Sequence, residues 1–113
     1  RYGFLPGIDG MLRDAAVKPD YDAVVVLDGD RHRLTPPVAA AFAAAPMKGL
    51  IDHHASTTLD GYTHPWLEPR AASATEMLAR GLLARNEPID ADMALALYTG
   101  LVFDTGGFRH TNT

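Results

Sequence analysis

The sequence contains no cysteine, which excludes disulfides and thiolate metal sites and fits a reducing, cytoplasmic setting. Any metal must then be held by histidine and carboxylate. No run of about 18 apolar residues occurs, so no transmembrane helix is expected, and the first residues lack the pattern of a secretory signal. A basic stripe with interleaved aromatics is also missing. With a formal net charge of −4, the chain is not expected to grip a nucleic-acid backbone by its own field. A phosphate-bearing substrate would be repelled unless bound cations reversed that field, so a phosphate function and a metal site stand or fall together.

What is present is enough for one modest core: 113 residues, 47% of them hydrophobic, and hence one compact unit of marginal stability. The chain opens on Arg1-Tyr2-Gly3-Phe4 without an initiator methionine and reads as a segment of something longer. Phe4-Leu5-Pro6-Gly7 predicts a turn into a short helix near Asp9 to Ala16, broken by Lys18-Pro19-Asp20. Asp22 to Asp28 is a continuous β-branched run and predicts a fully buried central strand of a parallel sheet. Thr35-Pro36-Pro37 supplies an N-cap and an opening proline for an alanine-rich helix over Val38 to Ala45, which Pro46 ends. Met47 to Ile51 predicts a second strand, completing a βαβ unit.

Ala55 to Pro69 reads as irregular, with Trp66 packing an edge. Ala72 to Asn86 predicts a helix in which Ser73 and Glu76 form a capping box. Asp90 caps a last helix from Ala91 to about Phe103, with Leu95, Tyr98 and Val102 on one face. The fold class is therefore α/β, a parallel sheet with flanking helices.

Three polar points stand at the ends of apolar elements: Asp28, Asp52-His53-His54, and Asp104. Carboxylate oxygen and imidazole nitrogen suit divalent Mn, Zn, Fe or Co. Adjacent positions at a strand end also fan apart, so that one histidine can meet a metal while its neighbour meets a substrate. Taken singly, each has a plain structural reading. Asp52-His53-His54 equally describes a polar strand terminus, Asp28-Gly29-Asp30 an ordinary turn with Asp30 a turn residue, and Asp104-Thr105-Gly106-Gly107 a helix stop. Their joint occurrence in an α/β frame, where ligands gather at the carboxyl ends of strands, favours a site.

Leu27-Asp28, Ile51-Asp52-His53-His54-Ala55-Ser56 and Thr99 through Arg109 resemble the second, third and fourth motifs of the DHH phosphoesterase superfamily. The nearest branch is the bacterial oligoribonuclease, or nano-RNase, that also dephosphorylates 3′-phosphoadenosine 5′-phosphate. Phe4-Leu5-Pro6-Gly7 and Ser73-Ala74-Thr75-Glu76 are similar to further segments of that branch. The resemblance implies that Asp28 bridges two Mn2+ ions, with Mg2+ or Co2+ as substitutes, and that His53 and Asp104 bind one of them. It implies further that His54 faces the scissile phosphate, that Asp52 stands behind and orients a histidine, and that Arg109 adds positive charge. A solvated or surface-paired arginine is the alternative for Arg109. The implied chemistry is phosphoester hydrolysis by a metal-activated water, on a short oligoribonucleotide or a phosphorylated nucleotide, in a full-length protein that can form a homodimer.

The family's first motif, a histidine with two spaced aspartates, is not among these residues, and neither is its C-terminal substrate-binding domain. His32, His64 and His110 have no Asp-x-Asp beside them and read as surface or loop histidines. The loop from Asp28 to Arg33-Leu34 is also about one residue short. The chain alone is thus expected to bind one ion weakly and to turn over little RNA. Two other readings stand beside the enzyme: a degenerate, non-catalytic nucleotide-binding or oligomerisation module, and a related enzyme acting on pyrophosphate, polyphosphate, cyclic-dinucleotide products or single-stranded DNA.

Overall fold

The computed structural model describes residues 1–113. The architecture is α/β, with a three-stranded parallel sheet and flanking helices. Contacts group the chain into two compact units, residues 12–69 and residues 1–11 with 70–113, where composition alone suggests one. No helix is long and apolar enough to cross a membrane.

The first of these units holds strand β1 (Ala23–Leu27), helix α1 (Pro36–Ala44), strand β2 (Met47–Asp52) and strand β3 (His64–Leu67), in sheet order β1-β2-β3. Leu27 lies opposite Ile51 in the β1–β2 register. The two strands therefore run level, and Asp28, just past β1, and Asp52, the last residue of β2, stand at the same sheet edge. Because side chains alternate along a strand, Val24, Val26 and Leu50 share one face, which packs with Phe42, Leu34 and Tyr62 into the core of this unit. The rings of Phe42 and Tyr62 meet edge to face at 5.5 Å, the arrangement the aromatic quadrupole favours.

Three expectations are corrected. β1 is an outer strand of the three and only Val26 is buried on it; Val25 and Leu27, at 46% and 53% exposure, lie on the opposite face. Pairing on one side, and α1 packing on one face, are not enough to bury a run that is apolar at every position. The short helix near Asp9 to Ala16 is instead two 3₁₀ turns, Ile8–Gly10 and Asp14–Ala16, because Met11 leaves the helical region at φ −71°, ψ 128° and neither turn has a side-chain cap. Residues 64–67 form a strand, although Pro65 stands within them. An outer strand tolerates proline because only one of its edges must donate, and Trp66 pairs with Ile51 from there.

In the other unit, helix α2 (Ala74–Ala84) is capped by Ser73 as its sequence predicts, Ser73 Oγ accepting from Glu76 N–H at 3.0 Å, while Glu76 Oε2 accepts at 2.6 Å from the N–H of Ala72, one residue before the cap, and not from that of Ser73 itself. Asn86, at φ 55°, closes it, with Asn86 N–H donating to Leu83 O and Glu87 N–H to Leu82 O. Helix α3 (Ala91–Asp104) starts at Asp90, whose carboxylate accepts from Met93 N–H at 2.8 Å. It ends in a Schellman motif, with Gly106 N–H bonded to Phe103 O and Gly107 N–H to Val102 O. Gly106 sits at φ 58°, and a Cβ there would run into the His110 imidazole. Gly106→Ala is accordingly expected to lower unfolding stability by more than about 1 kcal/mol, read as a lower midpoint with unchanged slope in urea unfolding.

Candidate metal centre

Asp28 follows β1 directly and is held there by its own N–H, which donates to Ile51 O at 3.0 Å. Its backbone is left-handed, φ 58°, a conformation that aspartate tolerates better than most residues but that costs on the order of 1 kcal/mol. The strain turns the chain at the strand end and leaves the carboxylate half exposed, with Oδ1 3.4 Å from His53 Nε2. His53 is largely enclosed, at 10% side-chain exposure, whereas His54 is at 48%. The two rings lie 4.6 Å apart and are tilted by 52°, so adjacent residues present two nitrogens with different access to solvent.

Behind them Asp52 is fully buried. Its Oδ1 accepts from His53 N–H at 2.9 Å and lies 2.7 Å from His54 Nδ1, while Oδ2 accepts from the Thr57 hydroxyl. Burial opposes its ionisation, but the Thr57 hydroxyl, the His54 ring and the backbone N–H groups of His53 and His54 outweigh it and hold its pKa below the ordinary carboxylate value. An ionised carboxylate can only accept, so His54 Nδ1 carries a proton. This is the carboxylate–imidazole pairing that commonly stands behind metal and phosphate sites.

One ligand atom each from Asp28, His53 and His54 lies within 4.8 Å of the others. The donor set suits a borderline or hard divalent ion. The fixed His54 tautomer adds to the fit, since neither its proton nor its orientation must change for Nε2 to act. Asp104 and Arg109 belong to the other unit. There Asp104 is the last residue of α3 and its carbonyl accepts from His110 Nδ1 at 3.1 Å, while Arg109 is exposed. His32, His64 and His110 are all exposed, as their sequence context suggests.

Sequence reasoning passed over Thr57, whose buried hydroxyl fixes Asp52; nothing in its spacing marks it. Asp30 is a turn residue, as read: its carboxylate accepts from His32 N–H and Thr58 N–H, each at 3.3 Å. Burial opposes its ionisation, and the Thr58 and His32 N–H groups, the His32 ring and the Tyr62 hydroxyl reverse that, so its pKa too lies below the ordinary value.

No protein-family model matches the sequence. Among solved structures, the chain is similar to an exopolyphosphatase-related protein from Bacteroides fragilis, at 24% identity with a TM-score of 0.87 over 99% of the chain. The two share a fold. The chain spans 36% of that protein's length.

Proposed function

We propose that the chain carries part of the divalent-metal centre of a hydrolase that cleaves phosphoester or phosphoanhydride bonds. The observation that carries this reading is the convergence of Asp28, His53 and His54 at the shared carboxyl end of β1 and β2. Asp28 and His53 are the ion ligands in this reading, with Asp104 the further ligand that the DHH resemblance implies. His54, more exposed and braced by Asp52 at Nδ1, meets the phosphate through Nε2–H in its imidazolium form, and the resemblance implies that Arg109 adds positive charge. A bound divalent ion supplies Lewis-acid charge and an activated water. The protein supplies orientation: Asp52 fixes the His54 proton, and the strand ends fix the spacing of the donors.

Polyphosphate-type substrates come first, because the structural neighbour is named exopolyphosphatase-related. Short oligoribonucleotides are the second reading, favoured by the resemblance of Phe4-Leu5-Pro6-Gly7 and Gly106-Gly107-Phe108-Arg109 to the nano-RNase branch. The test is hydrolysis by the full-length gene product with Mn2+, read in parallel as orthophosphate released from tripolyphosphate and as mononucleotide released from a short oligoribonucleotide. Asp28→Ala is expected to lower release from the preferred substrate by at least about 100-fold. Equal release by the variant and the parent would remove the metal centre from the chemistry.

A further inference from the structure

Beside the candidate metal centre, in the same unit, lies a cavity of about 320 Å³ whose lining includes Asp30, His32, Arg33, His54, Ser56 and Thr57. That volume is at the small end of the range for ligand pockets. The polar groups on its wall divide into those already engaged and those still available. Thr57 donates to Asp52, and Asp30 is occupied by the N–H groups of His32 and Thr58 and by the Tyr62 hydroxyl. The donors of Arg33, His32 and Ser56 remain for a ligand.

The loop after β1 treats its two arginines differently. Arg31 is structural: its Nε donates to Asp60 O at 2.8 Å, its Nη2 pairs with the Asp60 carboxylate, and its N–H donates to Tyr62 Oη at 2.7 Å. Gly61, at φ 84°, leaves room for this guanidinium, since a Cβ there would lie 2.6 Å from Arg31 Nε. The Arg33 guanidinium, two residues on in the same 3₁₀ turn (Arg31–Arg33), is exposed and has no ion pair. Pinning Arg31 to Asp60 thus fixes the turn that presents Arg33 and His32 to the cavity. An arginine held on a fixed turn, beside the His32 imidazole and the Ser56 hydroxyl, matches the planar, many-donor recognition of a phosphoryl group.

We infer that Arg33 and His32 form an anion subsite for a second phosphoryl group of the substrate, next to the one that His54 meets. This inference rests on the phosphoester reading above. It makes the substrate a molecule carrying at least two phosphoryl groups in succession and gives Arg33 a positioning role. Two sources share that chemistry, an inorganic phosphate chain and a 5′-phosphorylated diribonucleotide.

The test is a metal-free titration of the 113-residue chain with orthophosphate, tripolyphosphate and a 5′-phosphorylated diribonucleotide, followed by NMR shifts at the Arg33 and His54 side chains. At least one two-phosphoryl probe should bind roughly tenfold more tightly than orthophosphate, and Arg33→Gln should remove that advantage while orthophosphate binding changes little. The probe that loses its advantage identifies the source, and Arg33→Lys should restore part of it as a point charge. Urea unfolding of each variant checks that the exposed substitution leaves the fold intact. An advantage that survives Arg33→Gln, equal binding of all three probes, or no binding at all would overturn the subsite. Mn2+ binding measured separately on the same chain keeps the two readings apart. If Mn2+ binding is lost on Asp28→Ala while Arg33→Gln has no effect, the subsite alone fails; an Arg33-dependent advantage without any Mn2+ site leaves the subsite and removes the metal reading.

Discussion

Asp52→Ala is expected to lower the unfolding free energy by about 2–4 kcal/mol, the range for stranding donors of a buried, charged acceptor. The carboxylate is fully buried and satisfies the Thr57 hydroxyl, the His53 N–H and the His54 ring at once. Removing it leaves these donors facing a small cavity. Asp52→Asn separates charge from shape: an amide oxygen in the Oδ1 place can still accept from His53 N–H and His54 Nδ1–H, while its NH2 group meets the Thr57 hydroxyl, which must then accept. A smaller loss is expected, together with a weaker hold on the His54 tautomer, since a neutral amide oxygen replaces the carboxylate. Urea unfolding gives the first number and imidazole 15N shifts the second.

The same carboxylate sets a pH dependence. Because the pKa values of Asp52 and Asp30 are depressed in the fold, their contribution is present above the ordinary carboxylate range and is lost as pH falls through their folded values. Stability should therefore decline below about pH 4, and the decline should be shallower in Asp52→Asn. A wild-type profile flat from pH 5 down to pH 2 would contradict this.

The second large effect is on metal affinity. Asp28→Ala and His53→Ala are each expected to weaken Mn2+ binding by on the order of 100-fold or more, since loss of an outer partner alone typically costs 10–100-fold. Asp28→Ala should not unfold the protein, because its carboxylate is half exposed and the left-handed backbone at φ 58° is itself a small cost. Asp28→Gly, which relieves that strain, is expected to be more stable than wild type while binding Mn2+ no better than Asp28→Ala. Stability gained together with affinity lost would mark a residue kept for its ligand chemistry. Isothermal titration and urea unfolding on the three variants give both quantities.

Several features were legible because local chemistry dictates them. The Ser73–Glu76 start of α2, its stop at Asn86, the Asp90 cap and the glycine stop after Asp104 all depend on a few neighbouring residues, and the backbone follows them. The β1-α1-β2 frame was legible from two apolar runs with a proline-started helix between. That frame brings Asp28 to the same sheet edge as Asp52, His53 and His54.

The misses have a common origin in tertiary context. A run such as Ala23 to Leu27 is apolar at every position, so the sequence carries no alternation from which to tell a central strand from an outer one. His64-Pro65-Trp66-Leu67 contains a residue that argues against a strand, and only its place as an outer strand makes it acceptable. Thr57 and Arg33 are ordinary loop residues in sequence. Thr57 matters because Asp52 needs a donor inside the protein, and Arg33 because Arg31 is engaged by Asp60, which follows 29 residues later. Neither pairing is encoded in local spacing.

The central claim, that the end of β1 and β2 is a metal centre, is tested most directly by titrating Mn2+ into the isotopically labelled chain and following paramagnetic broadening. The account predicts that Asp28, His53 and His54 broaden first, at ion concentrations that leave His32, His64 and His110 sharp, and that Asp104 broadens with them if it is a ligand of the same ion. Uniform broadening of all five histidines, or none at Asp28 and His53 while others respond, would reduce the constellation to a polar strand end.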